Sequence, residues 1–206
     1  MIGKWNKSVI LTYAGVVMSV FGIFFSVYSL LNGTSIKYAM ICLMTAGVCD
    51  LFDGVVARKC KRTSEEKAFG IQLDSLADVV NFTAFPIAVY ISIGQLKWYV
   101  AAVCCIYAVF SIARLAFFNI SIEDDSSPVK YYRGLPVTFS ALIFPLAYLL
   151  SLVINGAAFN VLYSVIMLAV AFLFVLDFKM PKPKGKAYIF LSMLAVVLIA
   201  VYIIVL

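Results

Sequence analysis

Four carboxylates stand out in a chain that is otherwise close to oil: Asp50 and Asp53 in CDLFDGVVAR, and Asp74 and Asp78 in GIQLDSLAD. A charge near a bilayer centre costs about 2.5–3.5 kcal/mol on insertion scales, so four of them in adjacent apolar segments need compensation. Helical spacing says where they point. Asp50, Asp53, Gly54 and Ala57 fall at i, i+3, i+4 and i+7, one face of a helix; Gly70, Asp74, Asp78 and Asn81 recur every three or four residues, one face of the next. The connection between them is short, so the two helices pack as antiparallel neighbours and the acids converge. Such a cluster repels itself, and one or two divalent cations would neutralise it. Carboxylate oxygens suit Mg²⁺ or Mn²⁺, and the absence of His points the same way rather than to zinc.

Small residues and bases surround these acids. Gly54, Ala57 and Gly70 leave the acidic faces bare, which suits either close helix packing or the approach of a bulky ligand to the backbone. Arg58, at the end of its segment, is either an anchor at the membrane rim or a clamp on a phosphate. Lys59, Lys61, Arg62 and Lys67 read as topology signals. The acids lie within about two to three helical turns of the inner ends of their segments. A water-soluble partner can reach them there while apolar tails stay in the bilayer, as a reaction joining a lipid phosphate to a polar alcohol requires.

The elements that must hold these residues are membrane helices. Of 206 residues, 65% are hydrophobic and 13% charged, with a mean hydropathy of +1.06, whereas soluble domains are about 45–50% apolar. Seven segments read as spans, at 8–31, 36–58, 70–94, 97–119, 135–155, 157–177 and 187–206. The expected fold is an all-α polytopic bundle, one integral-membrane domain over 1–206 with no separate soluble part. NGTS, KCKRTSEEK, GQLK, SIEDDSSPVKYYRG, NGAA and KMPKPKGK read as its connections. With the N-terminus inside, fourteen of the sixteen Lys and Arg fall on the inner face and only Lys37 and Lys97 on the outer, the asymmetry expected of a cytoplasmic side. A basic inner rim attracts anionic headgroups, so the net charge of +6 calls for no nucleic acid. The first segment follows basic residues, but its apolar run exceeds that of a signal peptide and no small-residue cleavage site follows, so it reads as a retained span. The five cysteines show no C-x-x-C spacing and suggest neither a zinc site nor a disulfide framework. The last segment, AYIFLSMLAVVLIAVYIIVL, carries no obvious chemistry.

The acidic pattern resembles the signature of the CDP-alcohol phosphotransferase family, D-x-x-D-G-x-x-A-R followed after a short gap by G-x-x-x-D-x-x-x-D. Asp50, Asp53, Gly54, Ala57, Arg58, Gly70, Asp74 and Asp78 match all eight positions, although eleven residues separate Arg58 from Gly70, more than in the signature, and are expected to lengthen the elbow. The resemblance covers the first five or six segments. It implies a six-helix core with the catalytic part at about 36–134, and makes 187–206 an added C-terminal span. Within the family, DSLADVVNF, ARLAFFN and YYRGLP are similar to stretches of bacterial phosphatidylserine synthases; Phe117 stands where those tend to have a second Arg, and Asn81 to Thr83 where they have SFG.

The resemblance implies a phospholipid-synthesising enzyme of a bacterial cell membrane, a homodimer with its site on the cytoplasmic side. It would move the phosphatidyl group of CDP-diacylglycerol to a small polar alcohol, L-serine before glycerol 3-phosphate or inositol phosphate, releasing CMP. Asp50, Asp53, Asp74 and Asp78 would hold a pair of Mg²⁺ or Mn²⁺ ions, with Asp78 also the general base. Asp50, Gly54, Ala57, Arg58, Gly70 and Asp74 would contact the CDP-lipid. Arg114, Lys130 and Arg133 are the candidates for holding the acceptor, Arg114 first because it ends a segment. The run Glu123 to Asp125 reads as a solvated loop, and Asp177, near Lys179, as a helix-end partner. A transporter would also carry intramembrane carboxylates, but spread through the depth of several spans. A scaffold would leave four acids against two bases, Arg58 and Arg114.

Overall fold

The computed structural model describes residues 3, 6–94, 96–123, 131–181 and 186–205. The helices run α1 (Ile10–Asn32), α2 (Lys37–Lys59), α3 (Ser64–Asp78), α4 (Phe85–Gly94), α5 (Trp98–Glu123), α6 (Ser140–Tyr148), α7 (Gly156–Val175) and α8 (Lys186–Val205). A π turn, Val79–Ala84, joins α3 to α4 without a break. Among the described residues, six stretches are long and apolar enough to cross a bilayer: Lys7–Asn32, Lys37–Lys59, Ser64–Gly94, Trp98–Ile120, Gly156–Val175 and Ala187–Val205. The chain is thus a multi-pass membrane protein, an all-α bundle as its hydropathy implies.

Three local features differ from expectation. The fifth segment is an apolar helix of only Val137–Leu152, below the 18 residues that a spanning helix needs here. It is composite, with 3₁₀ turns Val137–Phe139 and Leu149–Leu152 on either side of α6 and Pro145 inside it. A 3₁₀ turn rises about 2.0 Å per residue against 1.5 Å in an α-helix, which stretches a short segment further. The third span starts at Ser64 rather than 70, because Thr63 accepts from the Glu66 N–H while the Glu66 carboxylate accepts from the Thr63 N–H, a capping box. Most of the eleven residues between Arg58 and Gly70 are therefore an extra turn and a half of α3, not a longer loop. Finally, the α5–α6 and α7–α8 connections pair through two short strands, β1 (Tyr131–Arg133) and β2 (Lys179–Pro181), antiparallel with Tyr132 opposite Met180. These are the only strands among the described residues.

Gly134 turns the chain from β1 into the bundle. Its φ is +73°, and a β-carbon there would meet the Phe174 carbonyl oxygen at 2.7 Å, so a side chain would be both strained and crowded. Its N–H donates to the Phe178 carbonyl at 2.9 Å and that of Leu135 to the Leu173 carbonyl at 3.0 Å, which pins the start of the fifth segment to the end of α7.

The helices pack in the manner of a membrane interior, with small and polar residues inside. α1 buries Thr12, Gly15, Ser19, Gly22 and Ser26, a stripe at intervals of three and four, and turns Val17, Phe21 and Phe24 outward. Contact is close enough that a β-carbon on Gly22 would lie 1.9 Å from the Phe85 ring. Behind it sits a core of buried aromatics, three of whose hydroxyls find partners: Tyr107 donates to the Phe82 carbonyl at 2.7 Å, Tyr202 to the Pro145 carbonyl at 2.7 Å, and Tyr90 shares a hydrogen bond with Ser164 at 2.5 Å, whereas the Tyr163 hydroxyl has none among the described residues.

Candidate active site and metal centre

The short elbow brings the acidic faces of α2 and α3 together at one cavity, but the two helices do not pack along each other as antiparallel neighbours: α2 lies chiefly on α1, and α3 meets α1 and α5. The elbow between them is only Cys60–Thr63, closed by the capping box. The amide of Asn6, just ahead of α1, donates to Glu66 Oε1 at 2.9 Å and to the Lys61 carbonyl at 3.4 Å, tying the N-terminal segment to that elbow. Carboxylate oxygens of Asp50, Asp74 and Asp78 consequently lie within 4.8 Å of one another. Asp53, 8% exposed, accepts a hydrogen bond at Oδ2 from the Thr12 hydroxyl of α1 at 3.2 Å. Asp78 Oδ1 is buried with no hydrogen-bond partner among the described residues.

Two unit charges 4 Å apart interact by about 4 kcal/mol at an effective dielectric of about 20, so three carboxylates this close are self-destabilising as bare anions. An all-oxygen set with a buried, unpartnered oxygen fits a hard divalent cation. Thr12 occupies one oxygen of Asp53 and thereby fixes which oxygen is left for a ligand, the part that second-layer groups play around metals. Thr12→Val is expected to weaken Mn²⁺ binding about tenfold with little change in thermal stability. Electron paramagnetic resonance titration of free Mn²⁺ checks this, and an unaltered affinity would remove Thr12 from the site.

All four Asp border a cavity of about 270 Å³, together with Gly54, Arg58 and Arg114. Arg114 of α5 is 5% exposed, and its guanidinium lies 5.5 Å from the Phe118 ring, one turn along the same helix. Arg58 is exposed at the end of α2 and folds back over the bare backbone of Gly54, where a β-carbon would lie 3.4 Å from its Nη1. Arg62 stands in the same relation to Gly70, at 3.8 Å, and its Nε is buried without a hydrogen-bond partner among the described residues.

Other sequence candidates fall elsewhere. Ala57 and Gly70 are half-buried but do not border the cavity. Arg133 is exposed on β1, where its Nε lies 3.6 Å from Asp177, and it too is away from the cavity lining. The partner of Asp177 is thus Arg133. Lys130, Asp124 and Asp125 lie outside the described residues. Asn81 leaves the acidic face: as part of the π turn it accepts from the Ser19 hydroxyl of α1 at 2.7 Å. A π turn holds more residues per revolution than an α turn, so the angular spacing that aligns Gly70, Asp74 and Asp78 does not carry on past it.

Sequence reading missed several contributors. Thr12 could have been found, since it shares the small-residue stripe of Gly15, Ser19 and Gly22. The stretch Pro136 to Phe139, and Tyr188, Leu191 and Ala195 of α8, also line the cavity, and nothing in their local sequence announces it.

Residues 5–176 match the family model for CDP-alcohol phosphatidyltransferases. The chain belongs to that family. Among its relatives, three proteins named CDP-diacylglycerol–serine O-phosphatidyltransferase are similar to it. The Saccharomyces cerevisiae protein is 36% identical over 109 residues, 50% of this chain and 38% of the relative. That of Helicobacter pylori strain J99 is 35% identical over 132 residues, 62% and 54% of the two chains. That of Methanocaldococcus jannaschii is 30% identical over 164 residues, 79% and 70%. The chain thus spans about half or less of the first two relatives. α7 lies within the matched region and α8 beyond it.

Proposed function

We propose that the protein transfers the phosphatidyl group of CDP-diacylglycerol to the hydroxyl of L-serine, giving phosphatidylserine and CMP. The observation that carries this is the meeting of four Asp carboxylates with Arg58 and Arg114 on one cavity whose other walls are mostly apolar. The names of the relatives favour serine among possible acceptors. The asymmetry of Lys and Arg favours a site on the cytoplasmic side; a bacterial cell membrane and a homodimer are taken from the family resemblance.

Asp50, Asp53, Asp74 and Asp78 would hold Mg²⁺ or Mn²⁺, as two ions, which when bound supply charge neutralisation to the diphosphate and the departing CMP. Arg58, exposed at the helix end, adds a guanidinium to the same phosphates. Gly54 leaves the α2 face low enough for the nucleotide, whereas Ala57 and Gly70 stand off the cavity. The serine hydroxyl oxygen attacks the lipid-side phosphorus, its proton passes to Asp78 Oδ1, and the bond from that phosphorus to the oxygen of CMP breaks. Arg114 pairs with the serine carboxylate, and its stacking on Phe118 holds the fork in place. Arg133, engaged with Asp177, has no part in this step.

Purified protein in detergent, given CDP-diacylglycerol and Mg²⁺ or Mn²⁺, is expected to release CMP with serine and not with glycerol 3-phosphate or inositol phosphate. Release with another alcohol alone would reassign the acceptor; none with any acceptor, from folded protein, would sink the proposal and favour a transporter. Loss of a charged hydrogen-bonding partner is worth about 1.5–3 kcal/mol, so Arg114→Ala should raise the serine KM at least about tenfold and leave the CDP-diacylglycerol KM near its starting value. An unchanged serine KM would exclude Arg114 as the acceptor clamp.

A further inference from the structure

α8 lies outside the stretch shared with the family, yet it closes one side of the site. Residues 188, 191, 195, 198 and 202 recur at intervals of three and four, and so form a single stripe along the helix. At one end of the stripe Ala195, Leu198 and Tyr202 are buried, and the Tyr202 hydroxyl donates to the Pro145 carbonyl at 2.7 Å. The helix packs on α2 and α6, which fixes how it is rotated. At the other end the same stripe, Tyr188, Leu191 and Ala195, borders the cavity that holds the acids. The opposite face, with Phe190, Met193 and Val197, is exposed.

The α2 side of the cavity grades from charged to apolar. Asp50, Gly54 and Arg58 lie on one flank of the helix. Met44, Val48, Leu51 and Val55, spaced i, i+4, i+7 and i+11, form an apolar stripe beside them and also line the cavity. A CDP-lipid has the same gradient, with a diphosphate at one end and acyl chains at the other. Among the α8 residues on the cavity Tyr188 alone carries a polar side-chain atom, suited to the glycerol ester level where apolar and polar parts meet.

We propose that α8 is the wall against which the diacylglycerol part of the donor packs, and that Leu191 and Tyr188 determine which CDP-lipids the site accepts. This rests on the donor assigned under Proposed function. It gives the added helix a place in substrate selection and leaves the chemistry to α2 and α3.

The test is binding of CDP-dioleoylglycerol and of free CDP by calorimetry to the full chain in detergent with Mg²⁺. Leu191→Trp, which fills the wall, is expected to raise the Kd for the CDP-lipid about tenfold and leave that for CDP within about twofold. Leu191→Ala, which cannot overpack, guards against misfolding of the first variant and should weaken the CDP-lipid about fivefold with CDP again unaffected. Met193→Trp, on the outward face of the same helix, should change neither. Unaltered CDP-lipid binding in both Leu191 variants, or equal loss of CDP-lipid and CDP, would overturn the wall. A wild-type protein that binds no CDP-lipid would overturn the donor assignment itself, and the wall with it.

Discussion

Asp78→Asn is expected to lower kcat for CMP release by about 10²–10⁴-fold, the range for loss of a positioned general base, while CDP-diacylglycerol still binds. The substitution preserves volume, so the cavity keeps its shape. The amide has no lone pair basic enough to take the serine proton, and this is the change the reaction feels. Asp78 shares a 4.8 Å cluster with Asp50 and Asp74, and replacing one of three crowded anions by a neutral group relieves repulsion. The melting temperature of the purified variant should therefore hold or rise. Loss of turnover with an intact or raised melting temperature and retained donor binding separates a chemical part for Asp78 from a structural one. Wild-type turnover in Asp78→Asn would strip it of the base.

Removal of divalent metal should have an effect as large. Exhaustive chelation is expected to bring CMP release to background, and added Mg²⁺ or Mn²⁺ to restore it. The cluster offers oxygen donors alone, and the two arginines on the cavity, Arg58 and Arg114, are too few to balance four carboxylates. Binding to the folded form alone stabilises by about 2.7 kcal/mol at a hundredfold excess over Kd, so metal should also raise the melting temperature. That rise should vanish in a variant carrying both Asp50→Asn and Asp74→Asn. Full activity in protein shown by elemental analysis to be metal-free would refute the metal centre, and with it the common part assigned to the four acids.

These effects concentrate on α2 and α3 because their faces were set by short-range spacing. The i, i+3, i+4 and i+7 positions of Asp50, Asp53, Gly54 and Ala57, and the four-residue steps from Gly70 to Asp78, fix which side chains share a helix face before any tertiary contact is made. A four-residue elbow then holds the two acidic faces near each other, although α2 packs chiefly on α1 and does not run along α3. The six long spans were equally legible, since hydropathy over some twenty residues depends only on the local chain. Even the capping box at Thr63 and Glu66 was written in the sequence, as a T-x-x-E pattern ahead of α3.

Rotation of each helix about its axis was not written there. In a soluble helix the apolar stripe marks the inner face, but a helix apolar all round carries no such mark, and packing decides. Hence Arg114 and Arg133, alike as basic residues near the inner face, end in different places: one buried at 5% exposure on the cavity, the other exposed beside Asp177. Asn81 left the acidic face because a π turn interrupted the α spacing. Thr12 reached Asp53, and α8 reached the cavity, across more than forty and more than a hundred residues of chain respectively. The sequence by itself determined that this is a membrane bundle with two acidic helix faces joined by a tight elbow, because periodicity and hydropathy act locally. Only the tertiary structure decided which bases, hydroxyls and apolar walls complete the site, because those choices follow from how apolar helices rotate and interlock against one another.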